Sequence, residues 1–318
     1  MGSYLIRRLL QAILVILVVS FLVFVLMRML PGDPIEMLIS SSMLTDYTPE
    51  MMDALRHEKG LDQPIGVQYL RWLGQMGRGD FGTSIMQNYN IRNEIKDRVV
   101  VTMMIGFAAW LIGLIVGVLL GIICAIRRGK LIDNIVSVLA NIGLTAPSFW
   151  IAILLVYLFV MKLHVLPLYG YTLPWVDFGK SLKQSIMPIL VTALGPIATT
   201  TRQTRSSVLE VLNEDYVRTA WSKGLNEKKV VMKHVLKNAL MPIVTLQGTM
   251  LRMIIGGSVV VETIFVIPGM GSMLTKSMLS HDYPVVQAVT VIMTAVVVLS
   301  NLLVDILYAW IDPRIQYS

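Results

Sequence analysis

From Leu9 to Met27 the chain carries no charged side chain, and from Val99 to Ile126 it again carries none. A helix needs about 20 apolar residues to cross a hydrocarbon layer roughly 30 Å thick, and a water-soluble core has no use for runs of this length. The candidate spans are Leu9–Leu30, Val99–Ile126, Asn134–Met161, Ser185–Thr201, Ala239–Val261 and Tyr283–Ile311. The fourth is the shortest and is punctuated by Pro188, Gly195 and Pro196; the fifth contains Arg252. Composition agrees, since 55% of residues are hydrophobic and only 15% charged, where a soluble domain carries about a quarter. The expected fold class is an all-α integral membrane protein with about six transmembrane helices.

Lys and Arg in short loops orient such spans, because they gather on the cytoplasmic side. Arg7 and Arg8, then Arg127, Arg128 and Lys130, the basic residues between Arg202 and Lys237, and Arg314 fall on one side if the spans alternate. Only Lys162, Lys180, Lys183 and Lys276 fall in the short loops opposite. Both termini are therefore expected in the cytoplasm. The net charge of +7 sits in clusters beside apolar runs, which fits loops facing anionic membrane lipid and not a nucleic-acid surface. Arg7 and Arg8 before an apolar stretch resemble the start of a signal sequence. The run is too long for one, and no small-residue cleavage site precedes Pro31, so it is expected to stay as the first span.

These assignments divide the chain into 1–30 (cytoplasmic start and first span), 31–98 (outside) and 99–318, a core of five spans with a cytoplasmic loop at 202–238. The outer segment is more acidic than basic and is broken by Pro49, Gly60, Pro64, Gly74, Gly77, Gly79 and Gly82. Pro49–Lys59 reads as a short amphipathic helix capped by Thr48. The whole is expected to be a small extracytoplasmic subdomain placed to meet a soluble partner.

Several chemistries are excluded. Cys124 is the only cysteine, so neither an intrachain disulfide nor a thiolate cluster is possible. The 21 methionines suit gap-filling between helices better than soft-metal transport. His57, His164, His234 and His281 have no spaced partners that would make a metal site. Gly179-Lys180-Ser181 ends like a phosphate-binding loop, but Pro174 occupies the earlier glycine position; Gly269-Met270-Gly271 opens a dinucleotide fingerprint that Leu274 breaks. No catalytic residue, metal site or cofactor site is expected in this chain.

Within the spans, Gly113, Gly117 and Gly121 recur at spacing four, which lets a neighbouring helix, in this chain or a partner, approach closely. Arg252 and Asp305 are charges inside spans, each costing about 2.5 to 3.5 kcal/mol at a bilayer centre, so they either line a pathway or pair with each other. Asn141, Thr145, Gln247 and Asn301 are candidates for hydrogen bonds to a peptide-like substrate or for polar packing.

The segment Arg202–Pro242 reads as two amphipathic helices broken at Gly224. The first carries Val208, Leu212, Tyr216 and Ala220 on one stripe. Asn226 caps the second, with Glu227 in its first turn; Val231, Val235 and Ala239 lie opposite Lys229, Lys233 and Lys237, and Pro242 marks the entry to the fifth span. A basic hairpin lying on headgroups would need no more than that, yet the residues are more specific.

The run Glu214-Asp215-Tyr216-Val217-Arg218-Thr219-Ala220-Trp221-Ser222-Lys223-Gly224-Leu225 resembles the EAA loop of binding-protein-dependent ABC transporter permeases, with Arg218-Thr219-Ala220 in the place of Glu-Ala-Ala. Lys233-His234-Val235-Leu236-Lys237-Asn238-Ala239-Leu240-Met241-Pro242 is similar to the dipeptide and oligopeptide (and nickel) importer branch. So are Leu30-Pro31-Gly32-Asp33-Pro34, Gly60-Leu61-Asp62-Gln63-Pro64, Gly79-Asp80-Phe81-Gly82-Thr83-Ser84, and Val261-Glu262-Thr263-Ile264-Phe265 followed by Pro268-Gly269-Met270-Gly271. Their shared order extends the resemblance along nearly the whole chain.

The resemblance implies a type I ABC importer permease fold in the bacterial inner membrane. It implies a second homologous permease subunit that completes a pathway for peptide, two ABC ATPase subunits that bind ATP and Mg, and an extracytoplasmic substrate-binding protein. Hydrolysis would then belong to the partner chains, and this chain would be a transport subunit, not an enzyme. The residues implied to meet the ATPase are Glu214, Tyr216, Arg218, Thr219, Ala220, Ser222, Lys223, Gly224 and Leu225. Nickel chelates or oligosaccharides are alternative cargoes within the branch. An ion-driven secondary transporter is the rival from another class; it calls for an inverted repeat and paired intramembrane carboxylates, and the sequence shows neither.

Overall fold

The computed structural model describes residues 2–29, 48–58, 61–255 and 259–311. The Leu30–Pro34 motif, Gly60, the Arg252 side chain and Arg314 lie outside the described residues. Described residues are helical apart from turns and an isolated bridge between Thr83 and Asn90. The order is α1 (Gly2–Met29), α2 (Pro49–Glu58), α3 (Ile65–Gly77), α4 (Ile91–Ile126), α5 (Leu131–Thr145) and α6 (Ser148–Leu155), the last winding on as a π turn (Val156–Lys162). Then come α7 (Phe178–Leu212), α8 (Asp215–Ser222), α9 (Glu227–Val230), a π turn (Val231–Val235), α10 (Leu236–Ile255), α11 (Val259–Ile264), α12 (Met270–Leu279) and α13 (Tyr283–Ile311).

Among the described residues, Ile6–Met29, Ile91–Ile126 and Tyr283–Ile306 are single helices long and apolar enough to cross a membrane. The predicted third span, Asn134–Met161, is not one helix. Leu131–Thr145 and Ser148–Lys162 meet at a 107° bend. Pro147 explains it: proline disfavours helical backbone in the residue before it, and Ala146 is extended at φ −71°, ψ 130°. The predicted fourth span is instead part of α7, which runs without a break through Pro188 and Pro196 to Leu212. The hairpin is corrected in the same way: its first predicted helix splits at Asn213–Glu214, giving the end of α7 and a separate α8. Pro242 lies inside α10 and does not mark a boundary.

Contacts divide the chain into two units, one built from Met1–Val101 and Pro268–Ile306, the other from Thr102–Ile267. In the first, the opening turns of α4 (Ile91, Ile95) pack with Met270 and Met273 of α12 and with Val285, Ala288 and Val289 of α13. Tyr69 of α3 reaches Ser20 of α1 at 2.8 Å, amid an aromatic cluster with Phe21, Phe24 and Trp72. At the other end of α1, Arg8 lies 3.4 Å from Asp305 near the end of α13. The start of α1 and the end of α13 therefore lie on one side, and the starts of α4 and α13 share the other. The predicted helix at Pro49 begins with Thr48 Oγ1 accepting from the Met51 N–H at 3.4 Å and runs to Glu58. Nearby, the His57 ring bonds Asp62 at 2.7 Å and holds this exposed carboxyl below its usual range.

In the second unit α7 is central, packing against α5, α6, α10 and α11. It also fills the glycine stripe of α4. A Cβ on Gly113 would come within 2.5 Å of Pro196 Cβ, one on Gly117 within 2.6 Å of Thr200 Cβ, and one on Gly121 within 2.5 Å of Thr204 Cβ. No side chain fits in such gaps, so hydrogen alone lets the two backbones meet.

Candidate functional site

The site is built from the end of α7 forward. Asn213 and Glu214 interrupt the helix, and Glu214 takes an extended conformation at φ −70°, ψ 145° before α8. The eight residues of α8 are too few to hold a helix alone; packing holds it. Val217 and Ala220, one turn apart, are buried in an apolar core with Ala125 of α4, Val208 of α7, Val230, Val235, and Ala239 of α10. Leu225, just past the turn, packs onto the same core.

Gly224 ends α8. Its φ of +74° is the left-handed conformation that a Cβ makes costly. Its N–H bonds the Trp221 carbonyl at 2.9 Å, and the Lys223 N–H bonds the Thr219 carbonyl at 3.1 Å, so two carbonyls of the last turn are satisfied. Across the turn, Asn226 Oδ1 accepts from the Lys229 N–H at 3.0 Å, an N-cap bond that starts the next helix. The hairpin is thus closed from both ends by local chemistry.

The rest of α8 faces outward. Glu214, Asp215, Tyr216, Arg218, Thr219, Trp221, Ser222, Lys223 and Gly224 are all exposed. Arg218 and Asp215 form an exposed ion pair at 3.5 Å, and the Thr219 and Ser222 hydroxyls donate to carbonyls one turn back. A Cβ on Gly224 would meet nothing within 4 Å. The result is a stiff, mixed-charge ridge with an aromatic at its end. Trp221, 41% exposed, was not singled out from the sequence; four residues after Val217, it flanks the apolar face, and that spacing was the signal.

The polar residues proposed from the sequence as pathway or intramembrane groups fall in both units. Asn141 and Thr145 are exposed on α5, where the Thr145 hydroxyl donates to the Asn141 carbonyl at 2.9 Å. Gln247 is buried in α10; its side-chain amide N–H donates to Thr200 Oγ1 at 2.8 Å, and its backbone carbonyl accepts from Trp110 Nε1 at 3.2 Å. Asn301 and Asp305 belong to the first unit, Asp305 with Arg8 as a partner.

Sequence reasoning also passed over three buried carboxylates. Glu262 accepts from the Thr102 hydroxyl at 2.6 Å. Asp282 accepts from the Ser84 hydroxyl and, at 3.2 Å, from the Ile85 N–H, closing the Gly79–Ser84 motif onto the turn before α13. Asp133 is held by Arg205, 72 positions away. A contact that distant along the chain has no local signature.

Comparison with known proteins completes the description. Residues 117–317 match the family described as "Binding-protein-dependent transport system inner membrane component", and residues 1–106 match its N-terminal family. A Brucella suis biovar 1 protein carrying a peptide-permease name is 41% identical over 321 residues, covering 100% of both chains. The oligopeptide transport system permease protein AppB of Bacillus subtilis is 39% identical over 324 residues, again with 100% of both covered. Among solved structures, a chain of the MetNI methionine ABC transporter in an inward-facing conformation aligns with a TM-score of 0.54 at 18% identity, covering 69% of this chain and 96% of that one.

Proposed function

Since the chain belongs to the family of inner membrane components of binding-protein-dependent transport systems, we propose that it forms half of the translocation pathway of an ATP-driven peptide importer. Its full-length relatives carry peptide and oligopeptide permease names. The other half is a second permease subunit, an extracytoplasmic binding protein delivers the peptide, and two cytoplasmic ATPases bind ATP and Mg and drive the cycle. The chain resides in the bacterial inner membrane with both termini in the cytoplasm.

The observation that carries this reading is the ridge of α8: an apolar face fixed in the core and an outer face that stays exposed, with the Tyr216 hydroxyl tied to Asn238 at its edge. Such a ridge suits seating in a groove of the ATPase. Because Val217 and Ala220 share their core with α4, α7 and α10, a push on the ridge moves helix ends and not a loose loop. Transport then proceeds by rigid-body alternation, with the chemistry on the ATPase chains.

The test is Gly224→Asp in the assembled transporter. Aspartate tolerates the left-handed region better than most residues, and the space around Gly224 is open, so the hairpin survives while the docking face gains a charge. The expected result is normal insertion with loss of both uptake and substrate-stimulated ATP hydrolysis. Cysteines at Ser222 or Lys223 should cross-link to the ATPase with nucleotide-dependent yield. Normal uptake without any cross-link would overturn the assignment.

A further inference from the structure

Asp133 stands in the first turn of α5, its side chain 3% exposed, and Arg205 stands on α7 two turns before that helix ends. Arg205 Nε donates to Asp133 Oδ1 at 2.7 Å and Nη2 to Oδ2 at 2.9 Å, a two-pronged pairing that fixes orientation as well as distance. The Gly129 N–H donates to the same carboxylate at 2.9 Å, and the Ser137 hydroxyl approaches at 3.4 Å. One carboxylate thus gathers the α4–α5 turn, the start of α5 and the end of α7.

One turn on along α7, Val208 packs in one core with Val217 and Ala220 of the coupling ridge. A continuous solid path therefore leads from α8 through Val208 and Arg205 to Asp133. Beyond Asp133 it enters α5, the half-span that ends in the 107° bend at Pro147. The α8 core includes α4, α7 and α10 but no residue of α5. The ion pair is a directional link from α7 to α5; farther along α5, Gly143 faces Ala198 of α7.

We propose that Asp133 and Arg205 are the positioning pair that carries motion of the ATPase-docking ridge into the bent third span. Without the pair, α8 still seats and hydrolysis still runs, but α5 no longer follows. This rests on the reading of α8 as the ATPase-docking element. It predicts a phenotype that a merely stabilising ion pair does not give, namely hydrolysis uncoupled from transport.

The experiment uses the whole transporter with its binding protein and ATPases in liposomes, measuring basal hydrolysis, substrate-stimulated hydrolysis and peptide uptake. Asp133→Asn should keep basal hydrolysis and lower uptake per ATP about tenfold, within the usual span of coupling between sites. Arg205→Lys, which keeps the charge but loses the planar fork, should give an intermediate ratio with normal assembly. Restoration of the ratio in Asp133→Arg/Arg205→Asp would support the pair directly. An unchanged ratio in Asp133→Asn would overturn the proposal, as would basal hydrolysis, assembly and uptake all falling by one common factor. Failure of the reading beneath it looks different: the unmodified transporter would show no cross-link from Ser222 or Lys223 to the ATPase.

Discussion

The side-chain amide of Asn238 donates a 2.7 Å hydrogen bond to the hydroxyl of Tyr216. This bond joins α8 to α10 on the exposed side of the hairpin, while Val217 and Ala220 join them through the apolar core. Tyr216→Phe and Asn238→Ala should each cost about 1 kcal/mol, the usual net worth of such a bond. The double variant should cost little more than either one. Thermal unfolding of the purified permease would measure the cycle; fully additive losses would mean that the bond does not form in the protein.

The glycine seam gives a sharper contrast. Gly117→Val and Gly121→Val must push Thr200 and Thr204 away from α4, and overpacking of this kind costs about 1 to 3 kcal/mol. Gly74→Ala in α3, where an added Cβ meets nothing within 4 Å, should be neutral or slightly stabilising. Equal yields of folded protein from all three would refute close approach at the seam.

Charge reversal at Asp305 should be rescued in part by reversal at Arg8, its partner at 3.4 Å. Arg8 is 40% exposed and Asp305 12%, so the pair sits between the surface and buried cases, and its loss should cost about 1 to 3 kcal/mol. The sequence left Arg252 and Asp305 either as partners of each other or as residues lining a pathway. Running Arg252→Asp with Asp305→Arg in parallel decides between them by which double variant recovers expression and uptake.

Ser84→Ala removes the hydroxyl that donates to the buried Asp282 carboxylate. The Ile85 N–H remains, so the cost should be about 1.5 to 3 kcal/mol, the range for a bond to a charged group. Added protease should then cut between Gly79 and Asn90 faster than in the unmodified protein. Unchanged cleavage would show that this bond does not hold the segment down.

Topology is tested by labelling in a Cys124→Ser background. Cysteines at Asn88 and at Lys223, both exposed, should react with an impermeant thiol reagent from opposite faces, Asn88 from outside. Labelling of both from one side would reverse the proposed orientation.

The sequence by itself determined what depends on the solvent around each segment and on short-range chemistry. Uncharged runs such as Leu9–Met27 and Val99–Ile126 had to be helical in lipid because hydrocarbon offers backbone groups no other partner. Gly224 and Asn226 marked their turn because left-handed backbone and N-capping are properties of a few adjacent residues. Proline was the ambiguous sign. Pro147 breaks its span, whereas Pro188, Pro196 and Pro242 sit inside helices, and neighbouring helices decide which outcome prevails. Only the tertiary structure could pair Asp133 with Arg205 across 72 positions, Asp305 with Arg8, or the stripe of Gly113, Gly117 and Gly121 with Pro196, Thr200 and Thr204. Each of these is a contact between helices, and a helix's own sequence shows which face is small or charged but not what meets it.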